Sequence, residues 1–397
     1  MKARYQYRIY PTSQQKQSLA QLFGCVRVAW NDALALSKGS GRYPGVKVLS
    51  SQLTLSKKTV GREWLKDVSS VPLQQALQDL DVAYGNFFKS CKGERKGAKV
   101  NPPRFKKKSN QQSARFAKTA FKLKAAKVYL AKIGDLKTKW SRPLPSSPSS
   151  VTVIKDCAER YYLSFVVEVL PVSVKPKNQG VGVDMGLKTL ATLSTGERVK
   201  APNTSDLDKK IRKGKRKLAR AVKGSKRRFS LRVAVARIEA NQRNIHKDFN
   251  QKLATRLVRE NSVVVLEDLN VSGMVKNRCL SRAISRAGWR QIRTMCEAKA
   301  NMILDREVRI ISRWEPTSQL CSCCGYRWGK LDLSVREVTC INCGTLHDRD
   351  DNASNNILAV GLHRPIERVS QCKTSLGAVG DDPLTHLVAT QLSLFAS

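Results

Sequence analysis

Two sets of side chains in this sequence stand in patterns that could do chemistry: four cysteines at paired spacing, and three carboxylates at the ends of apolar runs. Cys321 and Cys324 form one C-x2-C pair and Cys340 and Cys343 a second, with fifteen residues between the pairs. That is the spacing of a four-thiolate zinc site. Each pair is followed directly by glycine, Gly325 and Gly344, whose access to positive φ lets backbone amides turn toward the sulfurs. Cys323 lacks this placement and reads as a spare thiol. Four thiolates close the coordination sphere and leave no position for a catalytic water, so the zinc expected here is structural. Arg336, between the pairs, is placed either to reach a phosphate or simply to face solvent.

The carboxylates stand out because the chain is otherwise so basic. Asp184 closes the run Val181-Gly-Val, Glu267 closes Val263-Val-Val-Leu, and Asp350 falls in His347-Asp-Arg-Asp-Asp-Asn, where a helix is expected to begin. A buried charge is costly unless it is paired or bound to a cation, so the three are expected to converge at one edge of one sheet. Hard oxygen ligands in that arrangement hold two Mg²⁺ ions about 3.5–4 Å apart for phosphodiester hydrolysis. Taken singly, each has a structural alternative: Asp184 as a turn residue, Glu267 as an arginine partner, Asp350 as a helix cap. Asp268, Asp348 and Asp351 are the neighbours most easily mistaken for ligands. Only four histidines occur and none forms a convincing dyad with a serine or cysteine nucleophile.

Across 397 residues, 73 Lys and Arg oppose 31 Asp and Glu, a formal charge of +42 spread along most of the chain. Such self-repulsion calls for a polyanionic partner, and nucleic acid rewards each neutralised phosphate with released counterions. No apolar run reaches the length of a spanning helix and no signal-peptide pattern opens the chain, so a soluble cytoplasmic protein, nucleoid-associated when on DNA, is expected. Eleven thinly spread cysteines do not make a disulfide framework.

These residues need elements to position them. Lys2 to Tyr10 alternates Tyr5, Tyr7 and Ile9 with polar residues, the period of a half-buried strand. Pro11 ends it, and Thr12 or Ser13 can cap a helix whose apolar stripe runs Leu19, Leu22, Phe23, Val26, Trp30, Ala33 and Leu34. A second helix is expected after Val71-Pro72, and the two make a small helical lobe. From Asn101 short alternating runs through Tyr161-Leu163-Phe165-Val167 read as a small β-barrel or sheet to which the first strand belongs. After a linker, Val181 to Leu193 reads as a strand hairpin. Lys209 to Arg228, without one acidic residue, reads as a basic helical stretch; Lys209, Lys213 and Arg216 are its candidate nucleic-acid contacts. Strands at 262–267 and 308–312 alternate with helices, which predicts a mixed α/β sheet. The segment after Leu362 is patternless.

The stretches Tyr7-Arg-Ile-Tyr-Pro-Thr, Pro103-Arg-Phe-Lys-Lys-Lys, Gly182-Val-Asp-Met-Gly-Leu, Leu266-Glu-Asp-Leu-Asn-Val, Ala287-Gly-Trp, Thr317-Ser-Gln, both cysteine pairs and Asp348-Arg-Asp-Asp-Asn-Ala together resemble TnpB, the transposon-encoded relatives of type V CRISPR effectors. The resemblance covers nearly the whole chain. It implies an α+β multidomain protein: a β-barrel wedge domain (1–10 and 100–178) with an inserted helical recognition lobe (11–99), then a RuvC domain of RNase H-like α/β fold (179–315 and 347–365) with an inserted zinc ribbon (316–346) and a peripheral tail (366–397). It implies an RNA-guided DNA endonuclease whose catalytic Mg²⁺ ligands are Asp184, Glu267 and Asp350 and whose zinc ligands are the four paired cysteines. Its partners would be a guide RNA from the transposon end and double-stranded target DNA bearing a short flanking motif, with the protein a monomer on its RNA. Gln74, Gln75 and Gln78 are candidates for reading that motif. Arg286 and Ala298 depart from the family's usual residues but touch no expected metal ligand. A miniature CRISPR effector, a metal-dependent transposase that joins strands, and a guided DNA-binding repressor are the rival activities; three intact acids disfavour the last.

Overall fold

Alternation at the N-terminus becomes strand β1 (Lys2–Ile9), with Tyr5, Tyr7 and Ile9 buried and the intervening residues outward. The structure is a computed structural model describing residues 1–363 apart from Lys96 and Leu333; the expected peripheral tail lies outside the described residues. The chain forms two compact units, one of Lys2–Val169 with Arg220–Arg237, the other of Leu170–Ala219 with the described residues from Ile238 onward.

In the first unit β1 is joined by β2 (Gln112–Ala117), β3 (Phe121–Leu123), β4 (Lys127–Leu130), β5 (Gly134–Lys139), β6 (Ser150–Lys155) and β7 (Tyr161–Glu168) in one antiparallel sheet, order β2-β6-β7-β1-β5-β4-β3. β1 pairs with β7 from Lys2↔Glu168 to Ile9↔Tyr161, and Tyr7 meets Trp140 and Phe165 edge-on at 4.8 and 5.8 Å. The order is linear: β3 offers three residues, pairs with β4, and no ladder joins it to β2 among the described residues. Of the small barrel or sheet expected, the ladders among the described residues make a sheet with two edges. Helices α1 (Ser13–Gly39), α2 (Val46–Ser56) and α3 (Ser70–Cys91) lie between β1 and β2 in sequence. Thr12 caps α1 reciprocally with Gln15, each side-chain oxygen accepting the other's backbone N–H, and the whole expected stripe from Leu19 to Leu34 is buried. α3 begins two residues ahead of Pro72, which its first turn tolerates because the N–H groups there lack intrahelical partners.

The second unit holds the sheet β10-β9-β8-β11-β12, built from β8 (Asn178–Asp184), β9 (Ala191–Leu193), β10 (Arg198–Val199), β11 (Asn261–Glu267) and β12 (Glu307–Ile311). β8, β11 and β12 run parallel; β9 pairs antiparallel with β8, and β10 antiparallel with β9. The basic stretch divides into α4 (Ser205–Arg220) and α5 (Lys226–Glu260), because Gly224 at φ +85° turns the chain between them. Short α6 (Val271–Met274) and α7 (Ser281–Ala287) lead to α8 (Trp289–Ala300). Val181, Val183, Val264 and Leu266 face a core shared with Leu257, Ile292 and their neighbours. The opposite face carries Val265 and Ile311 against Ile357 of α9 (Arg349–His363). Sheet residues covered on both faces explain why these strands read as unbroken apolar runs. β13 (Glu337–Thr339) and β14 (Leu346–Asp348) form a separate two-stranded ribbon directly before α9. No helix among the described residues is long and apolar enough to cross a membrane.

α9 lies on β8 because Gly182 has no side chain: a Cβ there would overlap the Ser354 carbonyl oxygen and stand 2.6 Å from the Leu358 amide nitrogen. Both obstacles belong to helix backbone and cannot swing away. Gly182→Ala is expected to lower stability by about 1–3 kcal/mol through overpacking, read as a fall in melting temperature. Gly24→Ala, in α1 with open space around it, should hold or raise stability by up to about 1 kcal/mol.

Candidate active site and metal centre

Because β8 and β11 are parallel with Val183 opposite Leu266, the next residues, Asp184 and Glu267, leave adjacent strands side by side at their C-terminal ends. Asp350 joins them from the first turn of α9. Their charges bear on one another. The Asp184 carboxyl is pushed up to about 7, first by burial, then by the negative charges of Glu267 and Asp350, with Arg349 and the Met185 amide pulling the other way. Burial also raises Glu267, against a hydrogen bond donated by the Thr317 hydroxyl at 2.7 Å. Carboxylates that resist ionising beside one another are the ones a multivalent cation would relieve.

The structural alternatives fare differently. The cap of α9 is Asp348, whose Oδ1 accepts the N–H groups of Asp350 and Asp351 at 2.9 and 3.1 Å, so Asp350 is not needed for that role. Glu267 forms no ion pair with an arginine among the described residues; its partner is Thr317. The neighbouring acids are neutralised: Asp268 by Arg293 at 3.1 Å and by Arg313, and Asp348 and Asp351 together by Arg198 at 2.8 and 2.9 Å. Arg336 is exposed, as one of the two readings expected, and its guanidinium lies 3.2 Å from Asp350. A cleft of about 380 Å³ opens beside Glu267, lined among others by Asp268, Trp289, Arg290, Arg293 and Arg313.

The four paired cysteines also come together. Their sulfurs all lie within 4.8 Å of one another, with Cys321–Cys343 and Cys324–Cys340 both at 3.6 Å. Four Zn–S bonds of about 2.3 Å in a tetrahedron require sulfurs about 3.8 Å apart, so the cluster fits a zinc site. The knuckles match. Gly325 and Gly344, at φ +73° and +71°, donate their amides to the carbonyls of Cys321 and Cys340 at 2.9 and 2.8 Å. The hydroxyl and amide of Thr345 bring Cys343 down to about 6, the direction that favours a thiolate ligand. Cys323 is exposed. His347, which the spacing does not single out, sets Nε2 3.1 Å from the Cys321 sulfur; in the tautomer protonated at Nε2 it would donate to a metal-bound thiolate.

Other functional candidates are placed without being joined to this centre. Lys209, Lys213 and Arg216 are exposed on α4 at helical spacing, Lys209 lying 3.4 Å from Asp206. Gln74, Gln75 and Gln78 are on α3 in the other compact unit; Gln75 donates to Gln78 at 2.7 Å. Sequence reasoning missed the Thr317 and Arg198 contacts. Their partners are 50 and 153 residues away, and no local pattern announces a contact of that range.

Fold and site together define an α+β multidomain protein with a carboxylate cluster at the C-terminal edge of a mixed sheet and a four-cysteine ribbon beside it. A family model described as "Probable transposase" of the OrfB IS605 group matches residues 164–278, a Cas12f1-like TNB domain matches 289–357, and one described as a helix-turn-helix domain matches 1–40. In the last range the structure holds one strand and one long helix, β1 and α1. The chain is 43% identical over 371 residues to a Streptomyces pristinaespiralis protein named "Putative RNA-guided DNA endonuclease", covering 91% of this chain and 90% of that one. It is 29% identical to the Escherichia coli protein of that description called InsQ, over 90% and 92% of the two chains. A mimivirus TnpB-like protein, L770, is 28% identical over 57% of this chain and 46% of its own. A solved Cas12f1–sgRNA–target DNA complex superposes with TM-score 0.48 and 15% identity, over 87% of this chain and 81% of that one. The chain belongs to the TnpB family.

Because the folded Asp184 carboxyl binds its proton more tightly than the unfolded one, the metal-free protein gains stability as pH falls through about 7 toward 4. Asp184→Asn should raise the melting temperature of metal-free protein at pH 8, by about 2–4 °C per kcal/mol relieved, with the gain gone near pH 4. No gain at pH 8 would mean that the acids do not burden one another. For the ribbon, Cys324→Ser should lower zinc content measured by elemental analysis, whereas Cys323→Ser should leave it unchanged.

Proposed function

We propose that this chain is an RNA-guided DNA endonuclease, with Asp184, Glu267 and Asp350 as the ligands of its Mg²⁺-dependent nuclease centre. The carrying observation is that Asp184 and Glu267 end adjacent parallel strands and that Asp350, at the start of α9, adds its charge to theirs at Asp184, in a member of the TnpB family. The sheet order, with an antiparallel meander on one side and parallel strands on the other, supports an RNase H-like, RuvC-type domain (179–315 and 347–365), and β13 and β14 with the cysteine cluster support a zinc ribbon (316–346). The antiparallel sheet and α1–α3 of the other unit correspond to the wedge (1–10 and 100–178) and recognition lobe (11–99) of the family.

Two Mg²⁺ ions at the centre would activate water for attack on a phosphodiester and stabilise the leaving oxygen. The protein's own part is to hold three anionic oxygen donors at one end of the sheet and to leave them without permanent cationic partners. Arg336 is the exception: it occupies Asp350 at 3.2 Å, and a substrate phosphate would give its guanidinium a competing anion. The bystander acids are tied to Arg198, Arg293 and Arg313 and so do not compete for cations. The basic face of α4, with Lys209, Lys213 and Arg216, suits the sugar-phosphate backbone of guide or target. A monomer on a transposon-end guide RNA pairs that guide with target DNA beside a short flanking motif, so sequence choice is delegated to the RNA. Gln74, Gln75 and Gln78 are the side chains assigned to motif readout.

Purified with its co-expressed RNA, the protein should cut matched plasmid only when Mg²⁺ and the flanking motif are present. Asp184→Ala, Glu267→Ala and Asp350→Ala should each reduce cleavage by at least about a thousandfold while retaining RNA and target binding in gel shifts. Cleavage by Asp184→Ala at the wild-type rate would refute the assignment. Strand-transfer products formed without RNA would instead indicate a transposase.

A further inference from the structure

Thr317 lies between β12 and the first cysteine pair, buried, and neither the metal centre nor the zinc cluster requires it as a ligand. Its hydroxyl donates to Glu267 Oε1 at 2.7 Å. Toward the ionised carboxylate that a metal would require, the hydroxyl can only donate. Among the described residues the Glu267 carboxyl makes no other hydrogen bond, so this contact is what selects its side-chain orientation at the strand end.

Thr317 is in turn held by α9. Asn356 Nδ2 donates to the Thr317 carbonyl at 2.8 Å and to the Leu320 carbonyl at 2.8 Å. Asn352, one turn earlier on the same helix face, donates to that Leu320 carbonyl at 2.7 Å and accepts the Ser322 amide at 2.8 Å. Asn352 and Asn356 are both buried. A buried amide of this kind persists where its bonds are made, since leaving either end unpaired costs about 1–3 kcal/mol. The segment these two side chains grip, 317–322, contains Cys321, whose sulfur belongs to the zinc cluster. The same helix begins with Asp350.

We infer that Thr317 is a positioning residue for the nuclease centre: fixed by Asn356 on α9 and by the zinc-anchored segment that follows it, it orients the Glu267 carboxylate so that one oxygen is occupied and the rest of the group faces the metal. The ribbon then sets Glu267 and Asp350 relative to each other through the base of α9, rather than merely standing beside them. This rests on the nuclease reading above, and its test is arranged to separate the two.

The test uses the ribonucleoprotein with its guide RNA and compares Thr317→Val, which keeps the shape and loses the donor, with Thr317→Ser, which keeps the donor. Mn²⁺ affinity, read by electron paramagnetic resonance, should weaken about tenfold in Thr317→Val, and the Mg²⁺ concentration for half-maximal cleavage should rise by a similar factor. Cleavage at saturating Mg²⁺ should fall much less. Zinc content and RNA binding should stay near wild type, which a loss of the ribbon's fold would not allow, and Thr317→Ser should restore the metal affinity. If Thr317→Val does not fold, Thr317→Ala reads the same quantities with the same expected shift. Wild-type Mn²⁺ affinity and Mg²⁺ dependence in the donor-less variant, with Glu267→Ala inactive, would overturn the positioning role and leave the nuclease reading intact. Wild-type cleavage by Glu267→Ala would overturn the nuclease reading itself.

Discussion

Parallel pairing of β8 with β11 is the constraint on which the rest depends. A parallel ladder puts the ends of both strands on the same side of the sheet, and the register that sets Val183 opposite Leu266 delivers Asp184 and Glu267 there together. An antiparallel arrangement would have separated them by the length of the strands. The third acid arrives because α9 can lie directly on β8, and it can do so because Gly182 presents only backbone to the Ser354 carbonyl. The cost is electrostatic: burial and mutual repulsion hold Asp184 far above the ordinary carboxylate range. A fold tolerates such a cluster when something else, here the packed faces on both sides of the sheet, supplies the stability.

Arginine placement separates the centre from its surroundings. In a chain with so large a cationic surplus, any acid could have found a guanidinium, and Asp268, Asp348 and Asp351 did. Asp184 and Glu267 did not; Glu267 has a neutral hydroxyl instead. Asp350 stands between the two conditions, paired with Arg336 from the ribbon yet close enough to raise Asp184. Neutralised bystanders and unneutralised ligands are what a cation-binding centre needs if metal is to go to one place.

Local periodicity made much of the secondary structure legible. The alternation of Tyr5, Tyr7 and Ile9, the stripe from Leu19 to Leu34 and the Thr12 cap each depend on residues within a turn or two of one another, and each appears where the pattern puts it. The two cysteine pairs were legible for the same reason, with glycines at the positive-φ positions the turns require. Two features lay where local pattern is silent. Charge density over Lys209 to Arg228 marks a basic helical stretch but not the turn at Gly224, and short alternating runs do not reveal whether the last strand closes on the first.

What the sequence determined by itself was chemistry by residue type: thiolates at zinc spacing, acids closing apolar runs, and a charge that demands a polyanion. Which acids remain without a cation was decided only in three dimensions. Arg198 is 153 residues from Asp351, Thr317 is 50 from Glu267, and Asn356 is 39 from Thr317. Side-chain hydrogen bonds and ion pairs act over about 3 Å whatever the separation along the chain, so no reading of neighbours in sequence can assign them; the packing of α9 against β8 and β11 does.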